Sequence, residues 1–391
     1  MTALAFLLTA CGGGGGVVDS KTGFGGSGDP GPTSDALTAS GPLSTVGVAA
    51  IGTTPLDDRA AAIFINTQSG QAFGALKLGM VAEVTGTIPA NSTSTTSATA
   101  TNILVESAVL GLVTAIDLNN QRLSVVSMNV QIEQNTIFEG FSALANLNIG
   151  SRVEVYGVAT ADAKTILATR LIMLPTNTGA PSEIFGTATN VSAFQFTVNG
   201  LTVPLSALTS VITPTGVVQG LGSIVENARV RVLGSYVPGG TIITPAQVVT
   251  GINISRNDNA ILVLDGVVQS VAANGRFRLN DTDVETTAAN AAGLTAGARV
   301  QVKGRKTAGV LVATDFRRIT AGERVQMVVQ GDIANFTSPG SFTVRGETIN
   351  ASNATYVGGT VANMVNGRAA RIKVQANAGR LEASEVSFVV N

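Results

Sequence analysis

The sequence contains no histidine and no tryptophan, and it has one cysteine among 391 residues. The lack of histidine excludes Ser-His-Asp and Cys-His catalysis, histidine-based proton transfer and histidine-ligated metals. A single cysteine excludes intrachain disulfides, zinc ribbons and iron–sulfur clusters. Only carboxylate, Lys, Tyr or Ser/Thr chemistry remains available to an enzyme. No motif for it is present, so we expect a non-enzymatic protein without a metal or cofactor.

Charge is also scarce. Charged residues make up 13 % of the chain, against a usual share of ~25 %. The net charge of −1 provides no general attraction to polyanions, so nucleic acid is not an expected partner.

The single cysteine, Cys11, lies between a short apolar run and five glycines. The preceding residues resemble the lipobox of bacterial lipoproteins; they are Leu8, Thr9 and Ala10. In that class the cysteine is acylated and the peptide before it is removed. The resemblance implies lipidation of Cys11, which anchors the protein to a membrane through acyl chains.

Residues 1–11 are therefore interpreted as the remnant of a signal peptide. Residues 1–10 carry no charged side chain, whereas signal peptides begin with basic residues, so we expect the true start to lie upstream. The expected location is the bacterial cell envelope, anchored to the outer membrane and facing the periplasm or the surface. Residues 12–43 are rich in Gly, Ser, Thr, Asp and Pro, which predicts a flexible tether.

The rest of the chain repeats one β pattern, apolar-x-apolar-x-Gly. Its copies begin at Ala82, Val153, Val230, Val300 and Ile372. The spacings of 71, 77, 70 and 72 residues follow from these positions. The fifth copy has Ala376 in place of the glycine. Repetition at this period indicates an array of similar structural units.

Turn signals place short strands within each copy. Asn119-Asn120, Asn274-Gly275 and Pro339-Gly340 each predict a hairpin between the first two strands. Two short helices are predicted between the third strand and the repeated pattern, over 141–148 and 288–294. A lone sheet of this size has exposed edges, and closure into a small barrel removes most of them.

We therefore predict an all-β chain of five small, closed or partly open barrels similar to the oligonucleotide/oligosaccharide-binding fold, each with at most one short helix. A small sandwich or another six-stranded barrel is the alternative. The predicted domains are 44–105, which is divergent, 106–175, 182–254, 259–321 and 324–391. We expect neighbouring barrels to pack end to end or to share strands, which gives a rod on a tether.

The order Gly-x-Val, Phe-x-Val, Gly-x-x-Val-x-Val-x-Gly, Gly-x-Leu-x-Ala resembles domain-of-unknown-function family 5666. The likeness covers residues 106–391 well and 44–105 less well. In that family the domains occur in tandem in bacterial envelope lipoproteins. The resemblance implies neither an activity nor catalytic residues.

A site shared by all copies would place one polar residue type at one repeat position. The residues between the two apolar positions of the pattern are Glu83, Glu154, Arg231, Gln301 and Lys373. Because their charge changes sign, we interpret this position as a solvated face. The pairs Asp57-Asp58 and Asp281/Asp283 lie in predicted turns and repeat in no other copy, so neither a catalytic nor a calcium site is expected.

Basic residues are concentrated late in the chain: residues 301–391 hold 11 Lys and Arg against 6 Asp and Glu. A candidate polyanion-binding cluster consists of Arg299, Lys303, Arg305, Lys306, Arg317 and Arg318. A solvated basic edge that discourages strand pairing is the simpler interpretation.

The sequence thus predicts a lipid-anchored envelope protein that acts as a binding or spacer module, with an envelope protein or a glycan as partner. The alternatives are a glycan- or polyanion-binding module that uses several barrel faces and, less favoured, a carboxylate-dependent hydrolase.

Overall fold

A computed structural model of the chain describes residues 34–90, 96–162, 164–177, 179–206, 209–213, 216–252, 256–320 and 322–388. The predicted lipobox, Cys11 and residues 12–33 of the predicted tether lie outside these residues. Among the described residues, no helix is long and apolar enough to cross a bilayer.

The strands fall into five groups, here called repeats 1 to 5. Repeat 1 (34–105) contains β1 (Ser34–Val46), β2 (Ala49–Ile51), β3 (Thr54–Asp57), β4 (Ala62–Ile65), β5 (Val81–Pro89) and β6 (Ala98–Val105). Repeat 2 (109–174) contains β7 (Val109–Asp117), β8 (Arg122–Val125), β9 (Met128–Glu139), β10 (Arg152–Ala159) and β11 (Thr165–Leu174). Repeat 3 (182–250) contains β12 (Ser182–Thr189), β13 (Gln195–Val198), β14 (Leu201–Pro204), β15 (Ser210–Ile212), β16 (Val218–Gln219), β17 (Arg229–Tyr236) and β18 (Ile243–Thr250).

The last two groups follow the same plan. Repeat 4 (261–319) contains β19 (Ile261–Val271), β20 (Arg276–Leu279), β21 (Thr282–Glu285), β22 (Arg299–Thr307) and β23 (Val310–Ile319). Repeat 5 (327–388) contains β24 (Met327–Ser338), β25 (Ser341–Val344), β26 (Glu347–Asn350), β27 (Thr355–Val357), β28 (Ala369–Asn377) and β29 (Arg380–Phe388).

Strand pairing closes these short sheets into barrels. In repeat 2, β7 pairs with β8 and β8 with β9, both antiparallel. Strand β9 then pairs with β11 in parallel, and β10 pairs antiparallel with both β11 and β7. Repeat 4 has the same cycle of five strands. The chain is therefore all-β with small closed five-stranded barrels, as the sequence predicted.

The three predicted hairpins are present. Asn119-Asn120 lies between β7 and β8, Asn274-Gly275 between β19 and β20, and Pro339-Gly340 between β24 and β25. Each of these strand pairs is antiparallel. The three predictions are confirmed. Asn274 and Gly275 have the positive φ values of a tight turn, whereas in the turn between β7 and β8 the positive φ falls on Gln121.

In every repeat one short helical segment precedes the strand that carries the repeated pattern. These strands are β5, β10, β17, β22 and β28. The predicted helices at 141–148 and 288–294 are shorter in the structure, as a 3-10 turn at Leu144–Asn146 and an α-helical turn at Ala288–Ala291. Similar 3-10 turns occur at Phe73–Ala75, Leu221–Ser223 and Val361–Asn363. The apolar residue after each segment is buried; these residues are Leu76, Leu147, Ile224, Leu294 and Met364. The segment therefore supplies core side chains to its barrel.

Steric crowding explains why the repeated pattern ends in glycine. A Cβ at Gly304 would overlap the backbone oxygen of Val312 on β23, at a β-bulge between Lys303 and Gly304. The equivalent glycines 86, 157 and 234 face a carbonyl oxygen in the same way. In repeat 5 the bulge lies two residues earlier, between Lys373 and Val374. The shifted bulge explains why Ala376 is tolerated there.

The predicted tether ends earlier than expected. Residues 34–43 belong to β1, and Leu37, Ala39 and Leu43 on it are buried. Strand β1 pairs antiparallel with β5 over nine residues and in parallel with β19. This pairing satisfies the backbone hydrogen bonds of a segment whose Ser, Thr and Gly content favours a loop when read alone.

The repeats do not contact only their neighbours in sequence. Strand β7 of repeat 2 pairs with β12 of repeat 3. Strand β1 of repeat 1 pairs with β19 of repeat 4 and with β24 of repeat 5. Residues of repeats 2 and 3 also share one apolar core. The prediction of a rod in which each barrel contacts only the next one is therefore wrong, because β1 forms backbone pairs with strands of two distant repeats.

Candidate binding cleft between four repeats

The position interpreted as a solvated face is mostly an interface between repeats. Glu83, Glu154 and Arg231 are at most 9 % exposed. Gln301 and Lys373 are half-buried. The first interpretation is wrong for the first three copies because other repeats cover the barrel face. The repeated pattern did not signal this interface, because these three side chains bind partners at other positions of the repeat.

Arg231 is the centre of a buried network. Its Nη1 lies 2.5 Å from Oε2 of Glu106, and its Nη2 donates to Glu183. Asn66 of repeat 1 accepts from the same guanidinium at 3.1 Å. Burial raises the pKa of Glu106, although Arg231 opposes the shift. The network joins repeat 1, the segment before repeat 2 and repeat 3.

Glu154 extends this interface. Its Oε1 accepts from Nδ2 of Asn66 at 2.5 Å and from the hydroxyl of Tyr156 at 3.0 Å. Burial, followed by the charge of Glu154, raises the pKa of Tyr156 above its usual range. The phenol therefore stays protonated and serves as a hydrogen-bond donor.

Glu83 forms a third charged cluster. It accepts from Arg229 of repeat 3 and lies 3.4 Å from Nη2 of Arg256. Arg229 also lies over the ring of Phe185, 4.7 Å from its centroid. Burial lowers the pKa of Arg256, and its guanidinium donates to Thr282 of repeat 4 at 2.9 Å. The cluster therefore connects repeats 1, 3 and 4.

A cleft of about 860 Å³ lies beside this cluster. Its walls come from repeats 1, 2, 3 and 4 together with their connecting segments. The volume is within the range of about 300–1,000 Å³ typical of ligand sites. No single repeat could form this cleft, so it exists only because the repeats pack on one another.

The charges that line the cleft nearly cancel. Six acidic residues contribute to it, namely Glu83, Glu106, Asp162, Asp265, Asp281 and Asp283. Five basic residues do so, namely Lys164, Arg229, Arg256, Arg278 and Lys306. The sum is −1, so the cleft does not select for a highly charged ligand. Amides and hydroxyls add donors and acceptors, including Asn199, Asn227, Gln269, Thr187 and Thr189.

Two hairpin tips form part of the cleft rim. Asn199 and Gly200, between β13 and β14, have φ values of +51° and +80°. Asn280 and Asp281, between β20 and β21, have φ values of +46° and +60°. Positive φ at both central residues is the geometry of tight two-residue hairpins, which Asn, Asp and Gly adopt at least cost. The tips therefore present polar side chains on short, constrained loops.

The loop between β10 and β11 forms another part of the rim. Oδ1 of Asp162 accepts from the Thr160 hydroxyl at 2.7 Å and from the Thr165 amide at 2.9 Å. Desolvation raises the pKa of Asp162, but these hydrogen bonds outweigh it and lower the pKa to about 2. Asp162 is therefore charged at neutral pH and holds the loop that carries Lys164.

The predicted polyanion-binding cluster is not a free basic surface. Arg299 pairs with Asp265, Arg305 with Asp35, and Arg317 with Glu323. Lys306 lies 3.8 Å from Asp258, and Arg318 donates to backbone oxygens of residues 290, 292 and 293. Lys303 is buried and also has an interaction partner. Of the six residues, only Lys306 lines the cleft.

The other acidic pairs have local partners as well. Asp57 pairs with Arg59, and Asp58 accepts from the Ala49 amide at 3.1 Å. Burial raises the pKa of Asp58. Asp281 and Asp283 lie at the cleft near Arg278. In the part of the chain that the structure describes, no group of three or more acidic, cysteine or histidine residues could hold a metal ion.

Comparison with known families finds a match in two of the repeats. Residues 111–171 and 265–315 match the domain of unknown function DUF5666. The two segments are similar to this family. They lie within repeats 2 and 4, the two repeats whose third strand is unbroken. The resemblance that the repeated motif indicated is thus confirmed there. No curated protein matches the chain.

Proposed function

We propose that this protein is a non-enzymatic, lipid-anchored component of the bacterial cell envelope that binds a neutral, hydroxyl-rich glycan in the cleft. It would consist of five tandem barrel domains of the oligonucleotide/oligosaccharide-binding type, attached through acyl chains on Cys11 and a tether to the outer membrane. The observation that carries the proposal is the cleft of about 860 Å³ whose walls come from four repeats.

The balance of charge supports a glycan rather than a polyanion. Polyanion sites need an excess of unpaired basic groups. Here five basic side chains face six acidic ones in the cleft, and the late basic cluster is paired within the chain. Carboxylate, guanidinium and amide groups together match the donors and acceptors of sugar hydroxyls.

The buried carboxylates at the cleft support a binding role rather than hydrolysis. Glu83 accepts from Arg229 and Arg256. Asp265 accepts from Arg299 and, at 2.7 Å, from Gln301. Carboxylate-dependent glycosidases need one acid that gives up a proton and a second carboxylate across the substrate. Carboxylates held by guanidinium groups instead stabilise the walls.

The way in which the repeats pack favours a role in ligand binding over a role as a spacer. A spacer gains reach when its domains follow one another in a line. Here repeat 1 pairs with repeats 4 and 5, which brings distant parts of the chain together. Such packing shortens the reach and creates a shared surface instead.

Calorimetric titration with neutral hexasaccharides tests the cleft. Maltohexaose, chitohexaose, xylohexaose and mannohexaose serve as probes with the soluble protein from residue 34 onward, which includes all described strands. At least one is expected to bind with a Kd below about 1 mM. Arg278→Ala should weaken that binding about tenfold. Arg276→Ala, on the same strand but outside the cleft, is the matched control and should leave it unchanged.

The proposal that the cleft binds a glycan is wrong if none of the four probes binds. It is also wrong if Arg278→Ala and Arg276→Ala change the Kd equally. The anchor is tested separately. Cys11 is the only cysteine, so Cys11→Ser in the full chain should abolish labelled-palmitate incorporation and release the protein from the membrane fraction. Continued membrane association of Cys11→Ser would contradict lipidation.

A further inference from the structure

A second cavity, of about 330 Å³, lies between repeats 2 and 5. It shares no lining residue with the cleft. Its walls come from the end of β9 and the following loop, from the β25–β26 hairpin, and from the turn between β28 and β29. The volume is at the lower end of the range for ligand sites, about 300–1,000 Å³. The cavity therefore suits one or two rings rather than a long chain.

Two aromatic rings form one wall of this cavity. Phe138 and Phe141 stack with their centroids 4.6 Å apart and their planes at 20°. Both are only half-buried. Phe138 also packs against Gly379, where a Cβ would overlap the ring. Because Phe138 is held by Gly379 and Phe141, the pair presents a fixed apolar surface.

Charged groups of both repeats surround the rings. Arg170 of repeat 2 has a side chain only 1 % exposed, and its Nη1 lies 3.0 Å from Oε1 of Glu347 in repeat 5. Arg170 also donates to Glu139, whose side chain is 40 % exposed. Arg380 is exposed and lines the same cavity. The buried ion pair fixes the floor, while Glu139 and Arg380 remain accessible to a ligand.

We propose that this cavity, the ring pocket, binds a single pyranose ring of a neutral glycan. The C–H face of the sugar stacks on Phe141, because C–H groups carry partial positive charge and aromatic faces are negative. Glu139 accepts from sugar hydroxyls, and Arg380 donates to them. Because Glu139 and Arg380 have opposite charges, they supply one hydrogen-bond acceptor and one donor without favouring a charged ligand. The inference takes its ligand class from the proposed function, but it depends on different residues.

The absence of tryptophan provides a direct test. Phe141→Trp keeps an aromatic ring in the pocket and introduces the only indole. The probes are the methyl glycosides of glucose, galactose, mannose and N-acetylglucosamine. We expect a saturable shift in indole emission with at least one of them. Phe194→Trp is the matched control, because Phe194 is a 78 % exposed phenylalanine of repeat 3 and should give no shift.

Arg380→Ala in the Phe141→Trp background should raise the apparent Kd about tenfold, since a hydrogen bond from a charged donor is lost. A second readout uses the natural ring. In saturation-transfer NMR the sugar ring protons should receive saturation from the wild-type protein and much less from Phe141→Leu. No emission shift with any glycoside up to about 100 mM, together with equal saturation transfer in wild type and Phe141→Leu, would overturn the proposal.

The ring pocket and the cleft fail independently. If the hexasaccharides do not bind the cleft but Phe141→Trp responds to a glycoside, the cleft proposal is wrong and the ring pocket stands. If Arg278→Ala weakens hexasaccharide binding, while Phe141→Trp gives no emission shift and wild type and Phe141→Leu show equal saturation transfer, the ring pocket is wrong and the cleft stands.

Discussion

Arg170 and Glu347 form a buried ion pair that joins the second repeat to the fifth across 177 positions of sequence. Glu347 also accepts from the backbone amide of Leu78 at 2.8 Å, and Arg170 donates to the Leu78 carbonyl at 2.9 Å. Three repeats therefore meet at one pair of side chains. Burial lowers the pKa of Arg170, but the charges of Glu347 and Glu139 outweigh it and raise the pKa above its usual value, so the guanidinium stays charged. The pair thus links repeats that are distant in sequence.

Removal of one member of this pair should be costly. Glu347→Leu leaves the guanidinium of Arg170 buried beside one half-exposed carboxylate. Breaking a buried pair costs about 3–5 kcal/mol, and urea unfolding followed by circular dichroism measures the loss. Replacing the half-exposed Glu285, partner of the exposed Arg276, by Leu is the control and should change stability by less than about 1 kcal/mol.

Addition of Arg170→Met to Glu347→Leu should recover much of that stability, because well-packed apolar side chains often replace a buried ion pair without loss. A single Glu347→Leu variant as stable as wild type would show that the pair does not hold the repeats together.

The repeated pattern should require a glycine only where the β-bulge comes directly before that position, as it does at Gly304 and does not at Ala376. Gly304→Ala places a Cβ against the Val312 carbonyl and should destabilise the chain by about 1–3 kcal/mol, as overpacking does. Ala376→Gly, at the same repeat position in repeat 5, should cost only about 0.5–1 kcal/mol through backbone entropy. Urea midpoints measure both. A Gly304→Ala protein with wild-type stability would contradict the steric explanation.

The cleft loop around Asp162 should lose stability in acid. The pKa of Asp162 is about 2, below its usual value of 3.8. A carboxyl with a lowered pKa in the folded state contributes stability above the unfolded value, and that contribution disappears as pH falls through the folded value. The difference in melting temperature between wild type and Asp162→Asn should therefore be full above pH 4 and shrink toward pH 2.

Differential scanning calorimetry between pH 2 and 6 measures that difference. Asp117→Asn, at the end of β7 and outside the cleft, is the comparison, because the pKa of Asp117 is also lowered by hydrogen bonds. A difference for Asp162→Asn that stays constant from pH 5 to pH 2 would mean that the carboxylate does not hold the loop.

Much of each barrel was predictable from local sequence. Strand alternation, the turns at Asn119-Asn120 and Asn274-Gly275, and the place of the short helical segments within a repeat all depend on neighbours in the chain. The tether boundary was misplaced because strand β1 is stabilised by β5 and β19, which lie far away in sequence. Composition alone does not report such pairing.

The candidate sites were not predictable in the same way. Arg231 and Glu106 are 125 positions apart, and Phe141 and Arg380 belong to different repeats. Each copy varies at these positions, so no recurring polar residue marks the sites. The basic residues that did stand out, such as Arg305, are paired with partners elsewhere, here Asp35.

By itself, the sequence determined that the chain consists of repeated β units and that it lacks imidazole, indole and any thiol besides Cys11. Periodicity and turn chemistry act over a few residues, so they can be recognised without the fold. The tertiary structure alone decided which repeats meet, which charges are buried and where the cleft and the ring pocket lie. Those features depend on contacts between different repeats, many of them between residues more than one hundred positions apart, and no local pattern contains the energies of such contacts.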